Sequence, residues 1–265
     1  MNSANKKTFL LIIITVGCIL IFSHLQINNR PDDTVTVEVA DTKETTSIAP
    51  SLIMSADNNY TTATDSEITL PDSYSIDVPY ISQYPELPTG CEITSLTEVL
   101  QFYGFDVDKE YMAANYLPTK DYLEPGSYIN YFYGSPWSEH GSGCFSPAII
   151  TAANTFLQDN NSPLSANSLS YSSVNTIFNE LTKGHPIIIW TCFNYDAEVT
   201  YIDIDVGNGQ TFSWPTNEHC TVLTGFNLNT STVTLADPTY GVIERSIEEF
   251  SYYYKMYFYQ ALVIK

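Results

Sequence analysis

The pattern of apolar and polar positions divides the chain into three stretches. Thr8 to Phe22 is an unbroken apolar run without a charge, and it reaches 18 residues when extended through Leu25. A bilayer-spanning helix takes roughly 17–25 residues at ~1.5 Å rise. Residues 26–72 are rich in Thr, Asp, Glu and Ser, poor in aromatics, and lack a sustained period apart from an isolated alternation at Val35 to Val39. Such a segment buries too little apolar surface to offset its ordering entropy, so a disordered acidic linker is expected. From Ser73 the aromatics rise sharply, and residues 73–265 are long enough for one domain with its own core.

Within that domain a helical period comes first. Residues 89–103 place Ile93, Leu96, Leu100 and Tyr103 on one face, with Thr89 as N-cap, Glu92 completing a capping box and Gly104 as the stop. Further helices are expected at 108–117, ending before Pro118, at 147–158, with Ser146 as cap and Pro147 first, and at 173–183, ending at Gly184. The period then changes to that of strands: 187–192, 198–206, 210–214, 219–226 and 232–236, the last two joined through 227–230. Ser246 and Glu249 form a second capping box before a short helix, and Gln260 to Ile264 is a closing strand. Helices followed by antiparallel strands give an α+β fold class.

Charge changes the picture at the N-terminus. Ten Lys and Arg against thirty Asp and Glu give a net charge of −20 and a pI near 4.2. A polyanion-binding protein needs a basic face, so nucleic acid is excluded as a partner, and so is adsorption on anionic lipid. Three of the basic residues (Lys6, Lys7 and Arg30) and no acidic one lie in residues 1–31. Residues 1–7 are therefore read as a cytoplasmic basic head and 8–25 as a transmembrane signal anchor or a signal peptide. No small-residue A-x-A site follows the apolar run, which favours the anchor. The expected location is the cell membrane, single-pass with the C-terminal domain extracellular, or secreted if the N-terminus is cleaved. Cys18 makes a poor lipidation site, because Ile19 to Phe22 continue the apolar run.

The candidate chemistry begins at Cys91. As the second residue of a helix capped by Thr89, its thiol would meet unpaired N–H groups and the positive dipole end, where a thiol pKa falls towards roughly 3.5–7.5. It would also point away from the Ile93 stripe, towards a cleft. The competing reading is a structural cysteine. A thiolate needs a base, and His219 opens an apolar strand as either a core residue or a general base. Hairpin symmetry about residue 228 sets Asp237 beside His219 to orient the imidazole. Cys144, in a Gly/Ser loop before a helix, is the rival nucleophile; Cys192 and Cys220 are expected as inert core thiols, a bridge between them being the alternative. His185 is expected in a solvated turn. The tyrosine-rich stretches 128–133 and 252–259 read as packing surfaces, or else as the lining of a peptide or glycan cleft. No zinc-ligand spacing occurs, and neither a metal nor a cofactor is expected.

These residues carry a family resemblance. Asp77 to Gln83, then Pro85 to Leu96 around Gly90, Cys91 and Glu92, with His219 to Phe226 and Ala236 to Pro238, resemble the papain-like cysteine peptidases related to those that trim double-glycine bacteriocin leaders. The resemblance covers about 77–264. It implies a papain-like fold with Cys91 as nucleophile, His219 as the base that later protonates the leaving amine, and Asp237 holding the imidazole. It also implies Gln83 as oxyanion donor with the Cys91 backbone N–H. The implied protein is a stand-alone bacterial thiol peptidase, expected as a monomer, with a peptide or protein substrate. No Walker-type GxxxxGK[ST] occurs, so the transporter context and the double-glycine substrate are not carried over. A cell-wall amidase or transamidase, or a non-catalytic surface module, are the alternatives on the same scaffold.

Overall fold

The computed structural model describes residues 68–122, 127–207 and 209–265. The basic head, the apolar run of residues 8–25 and nearly all of the linker lie outside the described residues. Among the described residues, no helix is long and apolar enough to cross a membrane.

In chain order the first half forms β1 (Ser73–Ser75), α1 (Cys91–Phe102), α2 (Lys109–Asn115), β2 (Thr119–Lys120), β3 (Phe132–Tyr133), α3 (Ser146–Asp159), β4 (Ala166–Ser168) and α4 (Val174–Leu181). The second half is mostly strand: β5 (Ile187–Cys192), β6 (Tyr201–Gly207), β7 (Gln210–Pro215), β8 (Glu218–Asn227), β9 (Thr232–Asp237) and β10 (Gly241–Ser246), then α5 (Ile247–Met256) and β11 (Ala261–Ile264). One antiparallel sheet runs β10-β9-β8-β5-β11-β4, with β1 also pairing β8.

The sheet is covered on both faces, which explains why β5 is buried at every position and shows no alternation. Ile188, Trp190, Cys220 and Val222 pack with α1 and α3, while Ile187, Ile189, Leu223 and Leu235 pack with Ile177 and Phe178 of α4 and Phe250 and Tyr254 of α5. The β6–β7 hairpin inserts Phe212 and Trp214 against Phe145 and Phe258. Trp190 ties the layers together, fully buried with Nε1 donating to the Cys144 carbonyl at 2.8 Å. Trp190→Ala is expected to destabilise the fold by about 3–5 kcal/mol, through the cavity and the orphaned carbonyl. Chemical denaturation of the two proteins measures this.

The helices and strands fall where the period placed them, with two corrected caps. Thr89 does not cap α1; its Oγ1 donates to the Ser138 carbonyl at 2.9 Å, and Gly90 takes the N-cap position with no side-chain bond. Ser146 is the first residue of α3 and not its cap; its hydroxyl is drawn to Gln260 Oε1 at 2.6 Å. The Ser246–Glu249 capping box forms as read. The short strands β1 to β4 have too few alternating positions to show in the sequence, and the six-residue edge strand β10 has no fully buried position to mark it.

Candidate active site

The β8–β9 hairpin brings His219 and Asp237 together, though not by direct opposition. Symmetry about residue 228 would set Asn227 opposite Asn229, but the pair next to the turn is Asn227 with Thr232; a bulge between Leu223 and Gly225 takes back one residue of that offset, leaving Val222 opposite Ala236. Continued by one pair, that register sets Asp237 opposite Thr221, with His219 two residues along on the same face. The contact is a diagonal one. His219 Nε2 lies 2.9 Å from Asp237 Oδ1, with the two residues 1% and 2% exposed. Asp237 Oδ1 also accepts from the backbone N–H groups of Thr239 (2.8 Å) and Tyr240 (3.2 Å). Burial alone would raise this carboxyl, but the His219 hydrogen bond and charge and the two N–H donors hold it below the usual Asp value. Phe193 covers the imidazole edge-on, with ring centroids 5.2 Å apart.

Gln83 is tied to the same corner. Its backbone N–H donates to the Pro238 carbonyl at 2.9 Å, and its Oε1 accepts from Thr239 Oγ1 at 3.2 Å. Its Nε2 donates to the Pro88 carbonyl at 2.8 Å. The turns Leu87 N–H to Gln83 O and Gly90 N–H to Leu87 O then lead the chain into α1. Ser95, one turn further on, donates to the Cys220 carbonyl at 3.2 Å, which seats the start of α1 against the start of β8.

Cys91 sits at the N-terminus of α1, but its surroundings differ from those expected. It is the first helical residue, not the second, and it is buried at 7% exposure rather than open to a cleft. Its Sγ donates to Glu92 Oε2 at 3.3 Å. The thiol pKa is raised well above the ordinary cysteine value and not lowered: burial is the main cause, followed by the carboxylates of Glu92 and Glu218. The helix-end effect is outweighed first by burial of the thiol and then by Glu92, which turns inward rather than capping. Glu92 is fully buried, and its Oε1 accepts from the Cys144 N–H at 2.7 Å. Gly143 (φ +116°) makes room, since a Cβ there would lie 2.9 Å from both Glu92 Oε1 and Glu218 Oε2. Glu218 Oε1 is buried without a hydrogen-bond partner. Both carboxyls are raised by burial, Glu218 also by the charge of Glu92. Cys91 Sγ and one oxygen from each glutamate lie within 4.8 Å of one another.

A third buried acid stands behind the pair. Glu98, on the Cys91 side of α1 by helical spacing, is fully buried; its Oε1 accepts from the Ile81 N–H at 2.8 Å and its Oε2 has no partner. Burial raises its pKa well above the usual range, and the charge of Asp237 adds to this against the Ile81 hydrogen bond. The folded state thus keeps a proton that the unfolded chain releases above about pH 4.3, so Glu98 lowers stability as pH rises beyond that value. Glu98→Gln retains the acceptor for Ile81 and has no proton to release. Its Tm is expected to match the wild-type value near pH 4 and to exceed it on the order of a few degrees at pH 8, by calorimetry at both pH values.

Of the other candidates, Cys144 adjoins this corner through Glu92 and Cys220 through Ser95. Cys144, Cys192 and Cys220 are buried free thiols. Cys192 pairs across β5–β8 with Glu218, and Cys220 with Trp190, so the register does not bring the two sulfurs opposite one another. The pKa of Cys144 is pushed well up by burial, then by Glu92 and Glu218. His185 is half-buried rather than solvated, with Nδ1 3.2 Å from the Tyr103 hydroxyl. Tyr128 stacks on Tyr133 at 3.8 Å, and Tyr253, Tyr254 and Tyr257 are buried, so these tyrosines serve packing. The sequence reading missed Glu92, Glu98 and Glu218 as members of the site. The available signals were Glu98 seven residues after Cys91 on one helix face and Glu218 beside His219.

Comparison with known proteins gives concordant findings. Residues 75–262 match the model of the Peptidase C39-like family. The uncharacterized protein YvpB of Bacillus subtilis (strain 168) is 30% identical over 178 residues, covering 63% of this chain and 65% of that protein, just under two thirds of its length. A crystal structure of a Bacillus anthracis protein described as a C39-like peptidase superposes with a TM-score of 0.65 at 27% identity, over 74% of this chain and 98% of the other. A double glycine motif protease from an AMS/PCAT transporter, solved with its leader peptide, aligns over 72% of this chain and 93% of its own at 21% identity. Its TM-score of 0.40 is too low to carry an argument. The mixed helical and antiparallel architecture is the papain-like α+β fold that the resemblance implied.

Proposed function

The chain belongs to the Peptidase C39-like family, and on that premise we propose that it is a cysteine peptidase that hydrolyses peptide bonds through Cys91, His219 and Asp237. The observation that carries this reading is the buried His219–Asp237 hydrogen bond, at 2.9 Å, beside the helix start that holds Cys91.

With Nε2 committed to Asp237, Nδ1 of His219 is the nitrogen left for the thiol. Substrate entry would draw Sγ from Glu92 towards this nitrogen, and the thiol proton would pass to it. The sulfur would then attack the scissile carbonyl. The oxyanion would be held by the Cys91 N–H and by the Gln83 amide, which would exchange its Pro88 partner for it. The imidazolium would protonate the leaving amine, and water would hydrolyse the thioester, releasing the acid and restoring the thiol. Asp237 would hold the tautomer throughout. The resting thiol, stabilised by burial and two carboxyls, makes this activation depend on substrate. The basic head and apolar run at residues 1–25 favour action outside the cytoplasmic membrane.

The test is a cleavage profile of the full chain on a peptide library, with cell-wall fragments alongside. Cleavage of peptide bonds in the library supports the proposal; release of amine only from cell-wall fragments would replace it with an amidase.

A further inference from the structure

A cavity of about 360 Å³ opens beside the catalytic corner, near the small end of the roughly 300–1,000 Å³ that ligand clefts span. Phe193 and Tyr240 form its wall towards His219: their rings are 5.4 Å apart, and Phe193 is the residue lying edge-on to the imidazole. Arg245 also lines the cavity, half-buried, with its guanidinium 4.6 Å from the centre of the Tyr195 ring. Arg245 Nη1 donates to the Glu244 carbonyl at 3.1 Å, whereas Nε is buried with no partner. A buried N–H without an acceptor is unfavourable by roughly 1–3 kcal/mol.

Three carboxylates also line the cavity, and none forms an ion pair with Arg245 among the described residues. Glu249 Oε2 is occupied by the Ser246 hydroxyl at 2.9 Å as part of the α5 capping box. Asp196 and Glu244 are exposed, where water screens their charge. Elsewhere Lys109 pairs with Glu86, and Lys183 and Lys265 with Glu180. In a chain with thirty acidic residues, a guanidinium that forms no ion pair among the described residues, beside a cavity, is placed to meet an acceptor from outside.

We infer that this cavity is a subsite receiving a substrate carboxylate on the leaving-group side of the cut, with Arg245 as its anchor. The inference rests on the peptidase reading above, in which His219 protonates the leaving amine, so that groups beyond its aromatic cover face that side. The carboxylate is either an acidic side chain or the C-terminus of a short peptide; both offer the planar pair of oxygens that a guanidinium binds.

The test is kcat/KM of the full chain on peptides that differ at one position after the cut, Glu, Gln or Lys, each with a free or an amidated C-terminus. A preference of about tenfold for a carboxylate-bearing member is expected, lost in Arg245→Gln and partly kept in Arg245→Lys. Preference for Glu in amidated peptides assigns the side chain; preference for the free terminus whatever the residue assigns the terminal carboxylate. Equal values across the series, a preference for Lys, or a carboxylate preference that survives Arg245→Gln overturns the subsite. Should Arg245→Gln not fold, the wild-type series decides alone. If no peptide is cut, the peptidase reading fails instead. The subsite is then judged by binding of the same peptides to the full-length Cys91→Ala chain: tighter binding of the carboxylate-bearing members supports it, and equal Kd values overturn it.

Discussion

Cys91→Ala is expected to lower peptide cleavage by at least ~10³-fold, with the fold retained. Loss of a covalent nucleophile removes the whole two-step route, leaving only what binding and oxyanion donors provide. Among the described residues, no other thiol is placed to substitute. Cys144 lies in the loop before α3, and Cys192 and Cys220 lie within β5 and β8, whereas Cys91 opens α1. The structural change is small, since alanine keeps the first turn of α1 and the Sγ contacts it removes are a weak bond to Glu92 and one with the Cys220 backbone. Steady-state kinetics together with circular dichroism measure both halves. Cleavage within tenfold of wild type would remove Cys91 from the mechanism.

Asp237→Asn is expected to lower kcat by about 10²–10⁴-fold with KM little changed. The substitution keeps the size of the side chain and an oxygen acceptor, but removes the charge that stabilises an imidazolium in a site closed to solvent. It also allows the amide to present N–H₂ to His219 and reverse the tautomer. The pH dependence of folding separates this effect from a structural one. Asp237 is held below its usual pKa in the fold, so its stabilisation is present above the unfolded value of about 3.9 and is lost as pH falls through the folded one. The variant should therefore lose stability relative to wild type at neutral pH and less so under strong acid, whereas kcat at neutral pH falls by orders of magnitude. Equal proportional losses in kcat and in the folded fraction would make Asp237 structural.

How much of this was legible in the sequence depends on how local each signal is. The stop of α1 at Gly104 (φ +88°) and the Ser246–Glu249 capping box involve residues within one turn, and both stand as read. The Thr89 cap failed for a non-local reason: the hydroxyl is claimed by the 135–138 loop, 46 to 49 residues away. With that cap gone, Glu92 turns inward, and its charge adds to the burial that raises the Cys91 thiol, an outcome that no spacing rule within 89–103 contains. The hairpin pairing named the right two residues and the wrong register, because the turn closes on Asn227 and Thr232, off-centre from residue 228, and neither that nor the one-residue bulge in β8 leaves a mark in the pattern of apolar positions. Glu218 and Glu98 were passed over since an isolated acid in a strand or helix reads as a solvated position until the partner layers are placed.

The most direct measurement of the central claim is labelling of Cys91 by a peptide bearing an electrophile at the position of the scissile carbonyl, followed by mass spectrometry to locate the adduct. A small alkylating agent serves as reference. A buried thiol with a raised pKa should react slowly with the reference. It should react at least ~10²-fold faster with the peptide probe, whose docking moves Sγ towards His219. In His219→Ala the probe should lose this advantage. A probe that labels Cys91 equally well with and without His219, or one that labels Cys144 instead, would contradict the account.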